Sequence, residues 1–579
     1  MLRKLFKWVL RLVVLAVIVF VAILISQWLS HRYHPGSVLV LDVNGPVVER
    51  ASSRVGLVTG AQTPLDTVRR ALRMAENDPR FVGLAVKVID PGMQLADAQE
   101  LDAMINQFRS HGKWVAAYLE TAGEAGFGNL PYLVASDADE VSMMPRGEMN
   151  LLGVSVRELF ARGFLDWIKV TPVFDAIGKY KDAANILTQK DFTPGQLEED
   201  TSMVDNIFNQ IVATIARHRH LTPAAVTALI NRAPLTAEDG LKAHLLDRLE
   251  YEDQFDARIK NYRGEHHELV DYADYAQPTI YSSWGGGPRV AVIYGVGAIQ
   301  RGSGGFDPIL SPGGEAMGSD EMVKAFNQAR DDSGVRAVIF RVNSPGGSVI
   351  ASELIRRAAA NCAKKKPMVV SMGAYGASGG YWISTPAAKI IADPGTLTGS
   401  IGVLGGKFNV AGALQALGIN NGAVSRGANA TMFDSFTDFT LQQQEMFKNQ
   451  ILGDTYQQFV SIVAKSRHIP VEKVDQIAQG RVWMGNQALP IKLVDKLGDF
   501  NAALVEVKAL AKIPAKQRVR IEELPHRPGI IGQLLGAQVI DRASAPWPRT
   551  LAPLLRDVGR VLIRPEMRGE VYCPLVPRM

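Results

Sequence analysis

Val335-Arg-Ala-Val-Ile-Phe-Arg-Val-Asn-Ser-Pro-Gly346 is an apolar run that closes on a proline-glycine turn, and Gly347 then leads into the helix-like stretch Ser348–Lys364. A short apolar run bounded by turn residues and followed by a helix is the pattern of a buried parallel strand feeding a crossover. Downstream, Ser371-Met-Gly-Ala-Tyr-Gly-Ala-Ser378-Gly-Gly-Tyr-Trp382 repeats the arrangement, with one serine where strand gives way to helix. Two such turns sit side by side in a parallel sheet, which sets the fold class as α/β. Glycine lets the backbone approach a ligand and aim N–H groups at it. Gly346, Gly347 and Gly379 are therefore candidate oxyanion-hole residues for a nucleophilic Ser378. The plain alternative, on local sequence alone, is that both turns merely connect strands to helices.

The pattern occurs twice. Phe81–Gly92 matches Val335–Gly346, Ser37–Val48 matches Arg289–Ile299, Tyr132–Val141 matches Tyr381–Ile390, and Ile211–His220 matches Phe459–His468. Such self-similarity marks a duplicated domain. The copies span 37–275 and 289–515, joined by a Pro/Gly-rich linker at 276–288 and followed by a tail, 516–579, to which no role is assigned. In the first copy Asn129 stands about where the second has Ser378, and Asp90-Pro-Gly-Met93 replaces Ser344-Pro-Gly-Gly347. The first copy instead carries Phe174-Asp-Ala-Ile-Gly-Lys-Tyr-Lys181-Asp-Ala-Ala-Asn185, where the corresponding part of the second reads Gly422-Ala-Val-Ser-Arg-Gly-Ala-Asn-Ala430 without a lysine. Drift alone can produce this, but complementary loss is what one site built across two domains leaves behind.

A serine nucleophile needs a base. The second copy offers only His468, with His526 in the tail, and His468 is matched by His220 in an Arg-His pair, which reads as structural. Lysine remains. Its unperturbed pKa of roughly 10.4 makes it a poor base at neutral pH, but burial against apolar surface holds an amine neutral beside a hydroxyl. Ser–Lys pairs are a known variant of the triad logic.

Composition narrows the classes. A chain of 579 residues with a net charge of +5 and no basic block interleaved with aromatics has no nucleic-acid footprint. No His/Cys/Asp/Glu cluster has metal-ligand spacing, the glycine turns lack the Lys-Ser/Thr of a phosphate loop, and no cofactor is expected. Cys362 and Cys573 lie in such different contexts that both are read as unpaired. At the N-terminus Arg3, Lys4, Lys7 and Arg11 precede the apolar Leu12–Ile25. The segment 1–30 reads as an uncleaved signal anchor spanning about 9–29, since bulky residues follow it where a cleaved signal has small ones. The positive flank stays in the cytoplasm, so the rest faces the periplasm of a bacterium.

Together the anchor, the Arg341-Val-Asn-Ser-Pro-Gly-Gly-Ser-Val turn, Ser371-Met-Gly and Ala-Ser-Gly-Gly-Tyr-Trp-Ile-Ser384, Leu397-Thr-Gly-Ser-Ile-Gly402 and Gly178-Lys-Tyr-Lys181 resemble the signal peptide peptidase A family (protease IV) in its long, duplicated form, over roughly residues 1–510. The resemblance implies tandem Clp/crotonase-like domains, with Ser378 as nucleophile and Lys181 as general base. It also implies an inner-membrane homotetramer that degrades released signal peptides through an acyl-enzyme. One departure stands out: Lys181 is followed by Asp182-Ala183, where family members usually have Ser-Ala. An Asp182 carboxylate facing Lys181 would favour the ammonium and weaken the base. Two other functions compete. An inert membrane scaffold of the same fold is favoured if Lys181 is solvated or distant from Ser378, and a crotonase-type acyl-CoA enzyme has no need of Ser378, Lys181 or an anchor.

Overall fold

The computed structural model describes Trp8 and residues 33–50, 61–124, 126–277, 287–306 and 315–525. The expected anchor, Cys573 and most of the tail lie outside these residues. Among the described residues no helix is long and apolar enough to cross a membrane.

In the first copy β1 (Ser37–Val48), β2 (Phe81–Gly92), α1 (Leu95–Ser110), β3 (Trp114–Leu119), α2 (Asn129–Ser136) and β4 (Glu140–Met143) build a wound parallel layer. After α3 (Arg162–Trp167) and β5 (Thr171–Ile177), the long α4 (Pro194–His218) leads on to β6 (Arg248–Leu249) and β7 (Leu269–Asp271). Thr193 caps α4 by accepting from the Gln196 amide, and Pro194 fills the first turn, where a missing N–H costs nothing. The strand order is β7-β1-β2-β3-β4-β6, all neighbours parallel.

The second copy repeats it with β8 (Arg289–Val296), β9 (Val335–Ser344), α5 (Val349–Ala363), β10 (Met368–Ala377), α6 (Gly379–Ser384) and β11 (Lys389–Ala392). Then come β12 (Leu397–Gly399), β13 (Val403–Asn409), α7 (Ala411–Ala416), α8 (Gly453–Arg467), β14 (Val482–Met484), β15 (Lys496–Leu497) and β16 (Arg520–Leu524). The order β16-β8-β9-β10-β11-β15 is parallel throughout, with β12 beside the end of β10 and β14 antiparallel to β12. Every residue of β10 is buried, as a central strand covered on both faces must be. β16 is the counterpart of β7, so the second sheet takes in residues 520–524, which belong to the sheet and not to the tail expected from sequence.

The likeness extends to single bonds. Tyr132 Oη donates to the Leu245 carbonyl at 2.7 Å and Tyr381 Oη to that of Leu493 at 2.8 Å. Arg219 and Arg467 donate to the His244 and Lys492 carbonyls and pair with Asp247 and Asp495. His220 and His468 sit exposed at φ 54° just past their helices, a chain-reversing role rather than a catalytic one.

The copies are joined by the ribbon of β5 with β13 and by a shared core, in which Tyr375, Leu397, Val482 and Met484 pack into the apolar cluster of the first copy.

Candidate active site

β10 ends at Ala377, and Ser378 follows as the N-cap of α6 at φ 52°, ψ −118°, a conformation rarely tolerated by a residue with a side chain. The Ser378 amide donates to the Gly399 carbonyl at 2.9 Å, which ties the serine turn to the end of β12. Lys181 arrives from the other copy. The register of the ribbon sets Ile177 opposite Val403. The chain then crosses the second copy, with the Tyr180 amide on the Gln479 carbonyl at 2.8 Å. Lys181 Nζ lies 3.3 Å from Ser378 Oγ, 2.8 Å from Ser400 Oγ and 3.2 Å from the Ser400 carbonyl. Hydroxyl and amine thus meet within one chain, 197 residues apart in sequence.

Ser400 was not singled out from sequence, although it lies in the quoted Leu397–Gly402 motif. Its own backbone is left-handed at φ 49° and its amide is held by the Arg481 carbonyl at 2.7 Å. Two acceptors on one residue fix the direction of the lysine head group. Lys179, two positions away, is on the surface and pairs with Glu198 at 2.6 Å.

The glycine turn after β9 presses against Ser378. A Cβ on Gly346 would stand 2.7 Å from the Gly379 amide nitrogen and 2.8 Å from Ser378 Cβ, and its φ of 107° suits glycine. The three proposed oxyanion glycines are not equivalent. The Gly346 N–H donates to Ser344 Oγ at 3.2 Å, so it is engaged and its place is steric. The Ile299 amide donates to the Gly346 carbonyl, and the Ser348 amide to the Ile299 carbonyl. That bridge turns the N–H of Gly347 away from Ile299. Among the described residues the amides of Gly347 and Gly379 have no protein acceptor. They are the two donors left for an oxyanion. In the first copy Asn129 opens α2 where Ser378 caps α6, and its Nδ2 is spent on the Gly153 carbonyl at 2.6 Å.

Beneath Lys181 lies an acidic group that the sequence did not disclose. Burial raises the Asp182 carboxyl to about 6, with Lys181 acting in the opposite direction. Burial and then the charge on Asp182 raise Glu199 to about 9 and Asp200 to about 7, and burial, Asp200 and Asp182 raise Glu158 to about 7. Glu199 Oε1 accepts from the Val482 amide, tying α4 to β14. Elsewhere in the first copy Asp102, Asp137 and His218 bring ligand-type atoms within 4.8 Å of one another, a grouping invisible in the sequence spacing. Arg109 donates to Asp137 at 2.7 Å and Arg217 stands 3.2 Å from the His218 ring, so cations of the protein itself are built into it.

A family model described as Peptidase family S49 matches residues 107–264 and 360–514, one segment in each copy. The chain belongs to peptidase family S49. Protease 4 of Salmonella typhi is 32% identical over 82% of this chain and 78% of its own length. Serine protease SPPA of the Arabidopsis thaliana chloroplast is 28% identical over 91% of this chain and 76% of its own. ClpP1 from Listeria monocytogenes aligns at 14% identity with 37% of this chain and 94% of its own, at a TM-score of 0.23. This S49 peptidase is a serine protease of the duplicated Protease 4 type. Family membership and the Lys181–Ser378 approach together remove the grounds for the scaffold and acyl-CoA readings.

Proposed function

We propose that the chain is a Ser–Lys endopeptidase that cleaves released signal peptides and other unfolded or apolar peptides. The observation that carries the reading is the 3.3 Å approach of Lys181 Nζ to Ser378 Oγ. A neutral Lys181 takes the Ser378 proton as Oγ attacks the scissile carbonyl. The tetrahedral oxyanion faces the Gly347 and Gly379 amides. Collapse expels the amine, which takes the proton from Lys181, and water then attacks the acyl-enzyme with Lys181 again as base. Ser400 keeps the amine on line through both halves of the cycle.

The apolar segment 9–29 with its basic flank supports a single-pass inner-membrane anchor, with both copies in the periplasm. The resemblance implies a homotetramer, and internal symmetry suggests how its subunits meet. Helices α3 and α7 correspond at a fixed offset, as do Lys169 at φ 58° and Gly418 at φ 77°. By that offset 420–426 is the counterpart of β5 and 154–160 the counterpart of β13, yet neither forms a strand among the described residues. Val424 is 99% exposed and Leu159 82%. Pairing 420–426 with 154–160 of the next copy repeats the internal ribbon head to tail.

The test is Ser378→Ala in the full chain, with hydrolysis of an apolar peptide as readout. Activity should vanish while assembly persists. Retention of more than a few per cent in a contaminant-free preparation overturns the nucleophile.

A further inference from the structure

Arg341 on β9 is fully buried, and all five of its N–H donors are used. Nε and Nη2 form a fork on Glu49, at 2.9 Å to Oε2 and 2.8 Å to Oε1. The remaining donors reach Glu100, Ser371 Oγ at 2.9 Å and the Met372 carbonyl at 3.2 Å. Glu49 follows β1 of the first copy, so a carboxylate from one copy is inserted between β9 and β10 of the other.

What it touches there bears on the reaction. Glu49 Oε1 also accepts from Asn343 Nδ2 at 3.2 Å, and Asn343 Oδ1 accepts from the Tyr375 amide at 3.1 Å. Asn343 directly precedes Ser344, whose Oγ holds the Gly346 amide at the head of the oxyanion turn. Tyr375 lies three residues before Ser378. Between Val342 and Ser344 the register jumps from Met372 to Gly376, so β10 bulges where both strands enter the site. The bulge is shaped around Glu49: a Cβ on Gly373 would lie 2.3 Å from Glu49 Oε1. The copy without a nucleophile lacks the device. At the places of Arg341 and Asn343 it has Lys87 and Ile89, and Lys87 turns to Glu252 at 2.8 Å and Asp256 at 3.0 Å within its own copy.

We propose that Glu49 is a positioning residue for proteolysis, setting the oxyanion turn against Ser378 through Asn343 and Arg341. The first copy thereby contributes to stabilising the transition state as well as supplying the base. The proposal rests on Ser378 as nucleophile. Displacing preorganised donors by a fraction of an ångström lowers the rate of the chemical step while leaving ground-state binding intact.

The test uses the full chain with Glu49→Gln, which keeps shape but not charge. Asn343→Asp keeps the acceptor for Tyr375 and sets a second carboxylate against Glu49. Three readouts are taken: kcat and KM on an apolar peptide, affinity for a peptide boronic acid, and binding of the uncleaved peptide in a Ser378→Ala background. The boronic acid's tetrahedral adduct on Ser Oγ places an oxygen in the oxyanion hole. A kcat loss of about 10- to 100-fold is expected for either variant. Boronate affinity should fall in step, with KM and peptide binding unchanged. The double variant should lose little more than the worse single one. A folded variant that keeps boronate affinity, or one in which only KM changes, overturns the proposal. If Glu49→Gln does not fold, Asn343→Asp decides. Activity surviving Ser378→Ala would remove the nucleophile itself. An inactive Ser378→Ala beside an unaffected Glu49→Gln removes only the role of Glu49.

Discussion

Lys181 and Lys179 stand two residues apart, one against hydroxyls in the site and the other on the surface beside Glu198. Lys181→Arg should be nearly as inactive as Lys181→Ala, because a guanidinium does not deprotonate in the working range. Lys179→Ala should keep most of the activity. An inactive Lys179→Ala beside an active Lys181→Ala in the same peptide assay would reverse the assignment. Ser400→Ala removes one hydrogen bond to the amine and should lower kcat roughly five- to tenfold. Asp182 should affect how the rate responds to pH. Its carboxyl ionises above about 6, and the anion favours the ammonium form of its neighbour. Rates limited by deprotonation of the amine should rise with pH, and Asp182→Asn should move that rise to lower pH. An unmoved profile would show that the two groups are electrically independent.

At the level of elements, α4 is pinned to β14 by Glu199, whose carboxyl burial holds at about 9. A raised carboxyl binds its proton more tightly folded than unfolded. Its stabilising effect is therefore complete below about 4.5, the ordinary value, and is lost as pH rises through about 9. The melting temperature should decline across that window, and Glu199→Gln, which keeps an acceptor for the Val482 amide, should flatten the decline. An equal decline in both proteins, followed by circular dichroism, would place the lability elsewhere. Much of this architecture was legible in the sequence. Apolar runs ending in glycine turns gave β2, β9 and β10, and their recurrence gave the second sheet. β16 was not legible, because Arg520-Ile-Glu-Glu-Leu524 is short, charged and set after a lysine-rich loop, and becomes a strand only by pairing with β8. Ser400 and Glu49 were missed for a related reason. Their partners lie 219 and 292 residues away, so no local period announces them. Gly346 was misread as a free donor because its acceptor, Ser344 Oγ, is a rotamer and not a pattern.

For the whole molecule, the open segments 154–160 and 420–426 give the proposed assembly a specific weak point. Val424→Asp puts a charge on a side chain that is 99% exposed in the single chain, so it should not disturb the fold. It should break the oligomer if that strand is covered by a neighbour. Light scattering on the detergent-solubilised protein should then show smaller particles with an unchanged melting temperature, whereas unaltered assembly would exclude this pairing. The exchange of Asn129 for serine in one copy and of Ala430 for lysine in the other has a historical consequence. Each loss was tolerable only while the opposite copy retained what was given up, so once both had happened neither copy could be shed. Descent has thus become a ratchet. A chain cut at the linker would leave each piece without half of the proposed dyad and with part of the shared core laid bare, so its only route back to chemistry is to find the other piece.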